Sequence, residues 1–260
     1  MRLSILFLPG GLFLMVIFFR VALPAIKLPA WKRRLQKAQY ERLRKNFDKS
    51  DRILAQALEK FPDRPDVYLE YFLVHSASED LRHRFEILLK GYERTRSADI
   101  AFFIGSAYLE EGMFEKAKHY LRQEGVEAYM VNKKVPLLAQ LYYESGDAER
   151  AEQEYLRFHR KLDPQAADDK ELLSALSAQD LCLYVLISKA LEADWRQLMD
   201  LVPKSSVHSE MSWKDYLSLL QEQYGKLEPA STGIQGDPGA FNRHRREFFQ
   251  ERIQLVESYL

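Results

Sequence analysis

Seven positions between Ile104 and Leu121 return at a fixed interval. Ile104, Gly105, Tyr108, Gly112, Phe114, Ala117 and Leu121 are followed, each 34 positions later, by Leu138, Ala139, Tyr142, Gly146, Ala148, Ala151 and Tyr155. A period of that length is one helix–turn–helix unit, and two helices cannot cover their own apolar side, so such units must stack. The residue types suit that geometry. Gly105 and Ala139 are small where two antiparallel helices cross closely. Tyr108 and Tyr142, three residues on along the same face, fill the space beside the crossing. Gly112 and Gly146-Asp147 end the first helix, glycine supplying the positive φ that turns the chain. Ala117 and Ala151 let the returning helix pack beneath the first, and Leu121 and Tyr155 close the interface to the next unit.

Weaker copies flank the pair. Phe47, Ile53, Leu54, Ala57, Leu58 and Pro62 read as a returning helix, and Pro65-Asp66 opens another through Val67, Leu69, Phe72 and Leu73. Ser78-Glu79-Asp80 restarts a helix carrying Leu81, Phe85, Leu88, Leu89 and Tyr92. That unit has Tyr71 and His83 where small residues would stand, so it is either a divergent copy or a pair packed at another angle. Beyond Asp163-Pro164 the pattern degenerates. Glu171–Leu176, Leu181–Leu191, Trp195–Val202 and Ser212 to Tyr224 read as helices, and the Gly- and Pro-rich stretch 228–239 as a linker. Asp237-Pro238 then caps a last helix with Phe241, Phe248, Phe249, Ile253, Leu255, Val256 and Tyr259.

The middle of the chain resembles the tetratricopeptide-repeat family. Its pattern is a large residue, then Leu-Gly and Tyr on one helix, with spaced Ala, Phe and Ala on the next; the matching positions are the recurring ones above. The expected fold is therefore all-α, a right-handed solenoid of four to six antiparallel helix pairs. The expected organisation is an anchor over 1–27, a basic juxtamembrane helix over 28–45, the solenoid over 46–227, the linker over 228–239 and a C-terminal helix over 240–260.

The anchor rests on Leu3 to Phe19, which holds no charge. As a helix it reaches about 25 Å, and Val21 to Ile26 extend it towards the ~30 Å of a hydrocarbon core if Arg20 snorkels. A cleaved signal peptide is the alternative, but the run is longer than such a core and Leu23-Pro24-Ala25 is a poor cleavage site. Only Arg2 precedes the run, whereas Lys27, Lys32, Arg33, Arg34, Lys37, Arg42, Arg44 and Lys45 follow it. The positive-inside rule then places the N-terminus outside and the main domain in the cytoplasm, with Lys32, Arg33, Arg34 and Lys37 near the membrane.

Little in the sequence points to chemistry. With 38 basic and 38 acidic residues there is no global field for nucleic acid. The single cysteine, Cys182, forbids an intrachain disulfide and sits in an apolar run that suggests a core thiol. The six histidines show no metal-ligand spacing, and Gly233, Gly236 and Gly239 lack the strand and Lys of a phosphate loop. Arg243-His244-Arg245-Arg246 is either a solvated face or a site for acidic groups. No enzyme activity, cofactor or small-molecule substrate is expected.

The family resemblance implies that the first helix of each unit lines a concave groove for a protein partner. Phe102, Ser106, Leu109 and Glu110 would face it from one unit, and Lys133, Pro136, Gln140, Tyr143 and Glu144 from the next. Chaperone-tail binders of the family place a lysine and an asparagine where Phe102 and Ser106 stand, so a terminal carboxylate would find no donor here. An apolar segment, such as a helix, fits these side chains better, unless they pack against neighbouring helices instead. The expected role is a scaffold or adaptor at the membrane, for instance in assembly of an envelope complex; a periplasmic or secreted chaperone-like repeat protein with a cleaved signal is the alternative.

Overall fold

The computed structural model describes residues 28–75, 81–165, 176–201, 211–227 and 240–260, with Asp168 and Leu173 between them. The expected anchor 1–27, the linker 228–239 and most of the helix expected at Glu171–Leu176 lie outside the described residues. Among the described residues all regular structure is helical, and no helix is long and apolar enough to cross a membrane.

Consecutive helices pair and then stack. Helix α1 (Ala30–Leu43) packs on α2 (Phe47–Lys60), and α3 (Pro65–His75) packs on α4 (Leu81–Thr95). The segment 28–45 is thus joined to the array as half of its first hairpin. Leu35 and Ala38 of α1 meet Leu54 and Ala57 of α2 and Val67 of α3 in one small buried cluster. Two polar contacts fix the register. Ser50 donates to the Ala38 carbonyl at 2.8 Å, and the buried Glu70 of α3 accepts from Arg42 at 2.6 Å. The divergent α3–α4 unit keeps a close crossing by other means, because a Cβ at Gly91 would lie 2.7 Å from the Tyr68 ring.

The 34-residue interval holds down to individual hydrogen bonds. Helix α5 (Ala98–Glu110) turns into α6 (Phe114–Leu121), and α8 (Leu137–Glu144) into α9 (Ala148–Leu162). At the first turn Gly112 donates to Leu109 at 2.9 Å and Met113 to Tyr108 at 2.9 Å; at the second Gly146 donates to Tyr143 at 3.0 Å and Asp147 to Tyr142 at 2.8 Å. This double closure is the Schellman pattern, and both glycines take positive φ, +71° and +86°. A Cβ at Gly105 would meet Leu121 at 2.7 Å, so the first crossing is as close as the sequence requires. Tyr108, Tyr142, Ala117, Ala139, Ala151, Leu121 and Tyr155 are all buried.

One expectation needs correcting. Lys133 and Pro136 do not stand on the groove-facing first helix of the second copy. Helix α6 stops at Leu121; Gly125 takes φ +80°, and a separate short helix α7 (Val126–Lys133) is inserted before α8. Lys134, at φ +56°, and Pro136 then delay α8 until Leu137. Helix α7 packs on α5 and α9, through the buried Val126 and Met130.

Past α9 comes α10 (Ala178–Ala190), buried from Leu181 through Ser188 on every side. Cys182 is wholly buried there, and burial pushes its thiol up to about 11. Helix α11 (Trp195–Met199) follows, and the Trp213 indole donates to the Met199 carbonyl at 2.7 Å. Finally α12 (Trp213–Gly225) and α13 (Ala240–Tyr259) pack together, and α13 also reaches α10 and α5.

Candidate functional site

The contact of α13 with α5 borders a cavity of about 470 Å³. One wall comes from the recurring first helices: Ser106, Leu109 and Glu110 of α5, with Leu137, Gln140 and Glu144 of α8. The facing wall is the terminal hairpin, with Tyr216, Leu219 and Leu220 of α12 opposite Phe248 and Phe249 of α13. Leu219 is 42% exposed, so the cavity reaches solvent at that rim. Amides of Gln140, Gln179 and Gln223 and the ionisable groups of Glu110, Glu144, His244 and Arg245 share the lining with these apolar side chains.

Five of the nine groove residues expected from the sequence line this cavity: Ser106, Leu109, Glu110, Gln140 and Glu144. Tyr143 lies beside it and is engaged by the chain itself, its hydroxyl donating to the Glu251 carboxylate of α13. Burial and that carboxylate together push the Tyr143 phenol up. The other three residues lie elsewhere, Pro136 as the N-cap of α8. Phe102 is buried, packed on Phe103 and on Tyr129 of α7. Lys133, expected on a groove-lining helix, is the last residue of the inserted α7 and exposed, its ammonium 5.3 Å from the Tyr129 ring centroid.

The basic cluster Arg243-His244-Arg245-Arg246 is turned inward in part. His244 Nε2 lies 2.7 Å from the Glu144 carboxylate, which also accepts from Gln140 at 2.7 Å. The hydrogen bond to Glu144 raises the His244 pKa against the opposing effect of burial, with Glu247 and Glu110 adding to the rise. The other ring nitrogen, Nδ1, abuts Gly112, and the Phe114 ring stands edge-on to the imidazole at 5.8 Å. The imidazole is a strut between α13, α8 and the α5–α6 turn. Deeper along α13, the Arg252 guanidinium is buried over the Phe248 ring at 3.4 Å and donates to the Phe248 carbonyl at 3.1 Å. Leu255 and Val256 are fully in the core. The terminal helix is therefore rooted at its C-terminal half and only half-buried along residues 244–249.

Sequence reasoning missed this seat of α13. A signal existed: a basic cluster on the last helix, and two carboxylates, Glu110 and Glu144, at groove positions of the repeats. Among the described residues no cluster of three His, Cys, Asp or Glu is placed to hold a metal. In comparisons with known proteins, no family model matches the sequence and no curated protein matches it.

Proposed function

We propose that the chain is a membrane-anchored scaffold of the tetratricopeptide kind, holding a partner protein through the cavity between its recurring first helices and its C-terminal hairpin. The observation that carries this reading is the placement of Ser106, Leu109 and Gln140, inward positions of consecutive copies, on one wall of a single cavity lined by both polar and apolar side chains. Such a lining suits a peptide, whose backbone asks for hydrogen bonds and whose apolar side chains ask for burial. The helix position in the groove is taken by α13.

The anchor supporting this reading is the uncharged run from Leu3, and the basic flank favours a cytoplasmic main domain. The test is photocrosslinking in native membranes from a photoreactive residue at Gln140 of the full chain. One protein should dominate the adducts, and Leu219→Glu, a charge at the exposed rim, should abolish its recovery. Recovery unchanged by Leu219→Glu would move the binding site elsewhere. Tyr143 is a poor reporter for this purpose, since changing it also releases Glu251.

A further inference from the structure

We propose that α1 lies flat along an anionic lipid surface and so fixes the orientation of the whole array, an inference that rests on the membrane-anchored reading and adds a second point of contact to it. Lys32, Arg33, Gln36, Lys37, Tyr40, Leu43 and Arg44 are all exposed, and at 3.6 residues per turn they fall within roughly 140° of arc. Leu35, Ala38 and Glu41, on the opposite side, are buried against the array. The exposed face carries no carboxylate. The only acid of α1, Glu41, is turned inward and held by Lys49 at 2.7 Å and Asn46 at 2.9 Å.

Charge alone would describe a solvated face; the apolar residues on it do not fit that description. Among the described residues, three of the six exposed large apolar side chains fall between positions 40 and 47: Tyr40 at 56%, Leu43 at 75% and Phe47 at 36%. Arg44 accompanies them, its guanidinium 5.5 Å from the Tyr40 ring centroid. Basic groups interleaved with aromatic and aliphatic ones are the composition of a helix at a headgroup boundary. A nucleic acid would use the cations and an aromatic ring but has no use for an aliphatic side chain as exposed as Leu43.

Chain length supplies the remaining constraint. From Ile26, the end of the apolar run, to Ala30, the start of α1, is at most about 14 Å of extended chain. Standing upright, a helix of 14 residues would lift Leu43 some ~20 Å into water and put Arg44 beyond the ~10 Å reach of the surface charge. Lying flat, it brings Lys32, Arg33, Lys37 and Arg44 to the headgroups together, each worth about fivefold in surface affinity. Arg34, half-buried, and Arg42, bound to Glu70, take no part.

The test uses the full chain reconstituted in vesicles with or without phosphatidylserine, carrying an environment-sensitive dye at Gln36→Cys or, as reference, at Glu149→Cys on α9. Buried Cys182 stays unlabelled. In anionic vesicles the dye at 36 should shift to the blue and be quenched by brominated lipid, while the dye at 149 should not. Arg33→Glu with Lys37→Glu and Arg44→Glu, all at exposed positions, should return the signal at 36 to the level seen at 149. A water-like dye at 36 in protein that floats with the vesicles and resists alkaline carbonate overturns the proposal and leaves the anchor standing. A quenched dye in protein that carbonate strips off supports it and overturns the anchor. A dye that responds to single-stranded RNA and not to lipid overturns it in favour of nucleic acid.

Discussion

Gly105 and Gly146 are both glycines of the repeated units, yet they are needed for different reasons. At Gly105 the constraint is space: a Cβ would sit 2.7 Å from Leu121 and 3.3 Å from the Ala117 carbonyl, which helix backbone cannot vacate. At Gly146 it is conformation alone, φ +86° with nothing within 4 Å. Gly146→Ala should therefore cost about 1 kcal/mol, and Gly105→Val about 2–3 kcal/mol or more, as overpacking does. Denaturant melts of the two variants check the order; equal losses would mean that the helices do not cross closely at Gly105. His159 makes a second residue-level case. It is buried among Tyr155 and Phe158, its Nε2 has no hydrogen-bond partner, and burial pushes the imidazole down to about 4. The unfolded chain takes up this proton near pH 6.5, the folded one only near 4, so stability falls as the pH drops between those values. The loss reaches on the order of 3 kcal/mol below pH 4. His159→Leu should remove that part of the acid sensitivity, read as a smaller difference in unfolding free energy between pH 7 and pH 4.5. An unchanged difference would place the acid response at other groups.

Helices whose residues recur at 34 positions were legible from the sequence because close crossings and left-handed turns admit few residue types. Gly105, Ala139, Gly112 and Gly146 stand where the geometry asks for them. The break between α6 and α7 was not legible in the same way. Gly125 can end a helix, but a single glycine inside a helical pattern does not announce an inserted one, and Lys133 was displaced as a result. One wall of the candidate site was readable from the repeat, at Ser106, Leu109, Glu110, Gln140 and Glu144. The rest depends on tertiary pairing of α13 with helices a hundred residues earlier, which periodicity does not encode. That pairing has a pH signature. His244 is held charged by Glu144, so the strut is fully present below pH ~6.5 and is lost as the pH rises through the raised folded value. Hydrogen-exchange protection across residues 243–250 should fall on the alkaline side, with α8 and α9 little changed. In Glu144→Gln it should already be low at pH 6; protection independent of both changes would mean that the strut does not hold the helix.

At the scale of the whole molecule, the array has a small N-terminal cluster, centred on Leu54, and a long continuous core running from Tyr68 to Val256. Leu58 and Tyr71 pack against both and are the bridge between them. Neighbour-to-neighbour stacking makes such an array quasi-linear, so its two ends can serve different surfaces. Here α1 presents a basic and apolar face at one end, while the terminal hairpin folds back over the recurring helices and leaves a cavity beneath it. That fold-back is the central claim, since it decides what room a partner has. It is tested most directly by a double-mutant cycle across that contact. The Tyr143 hydroxyl of α8 donates to the Glu251 carboxylate of α13, so the losses of unfolding free energy in Tyr143→Phe and Glu251→Gln should not add. A coupling of about 1 kcal/mol or more is expected, and strictly additive losses would show that α13 does not sit on the repeats.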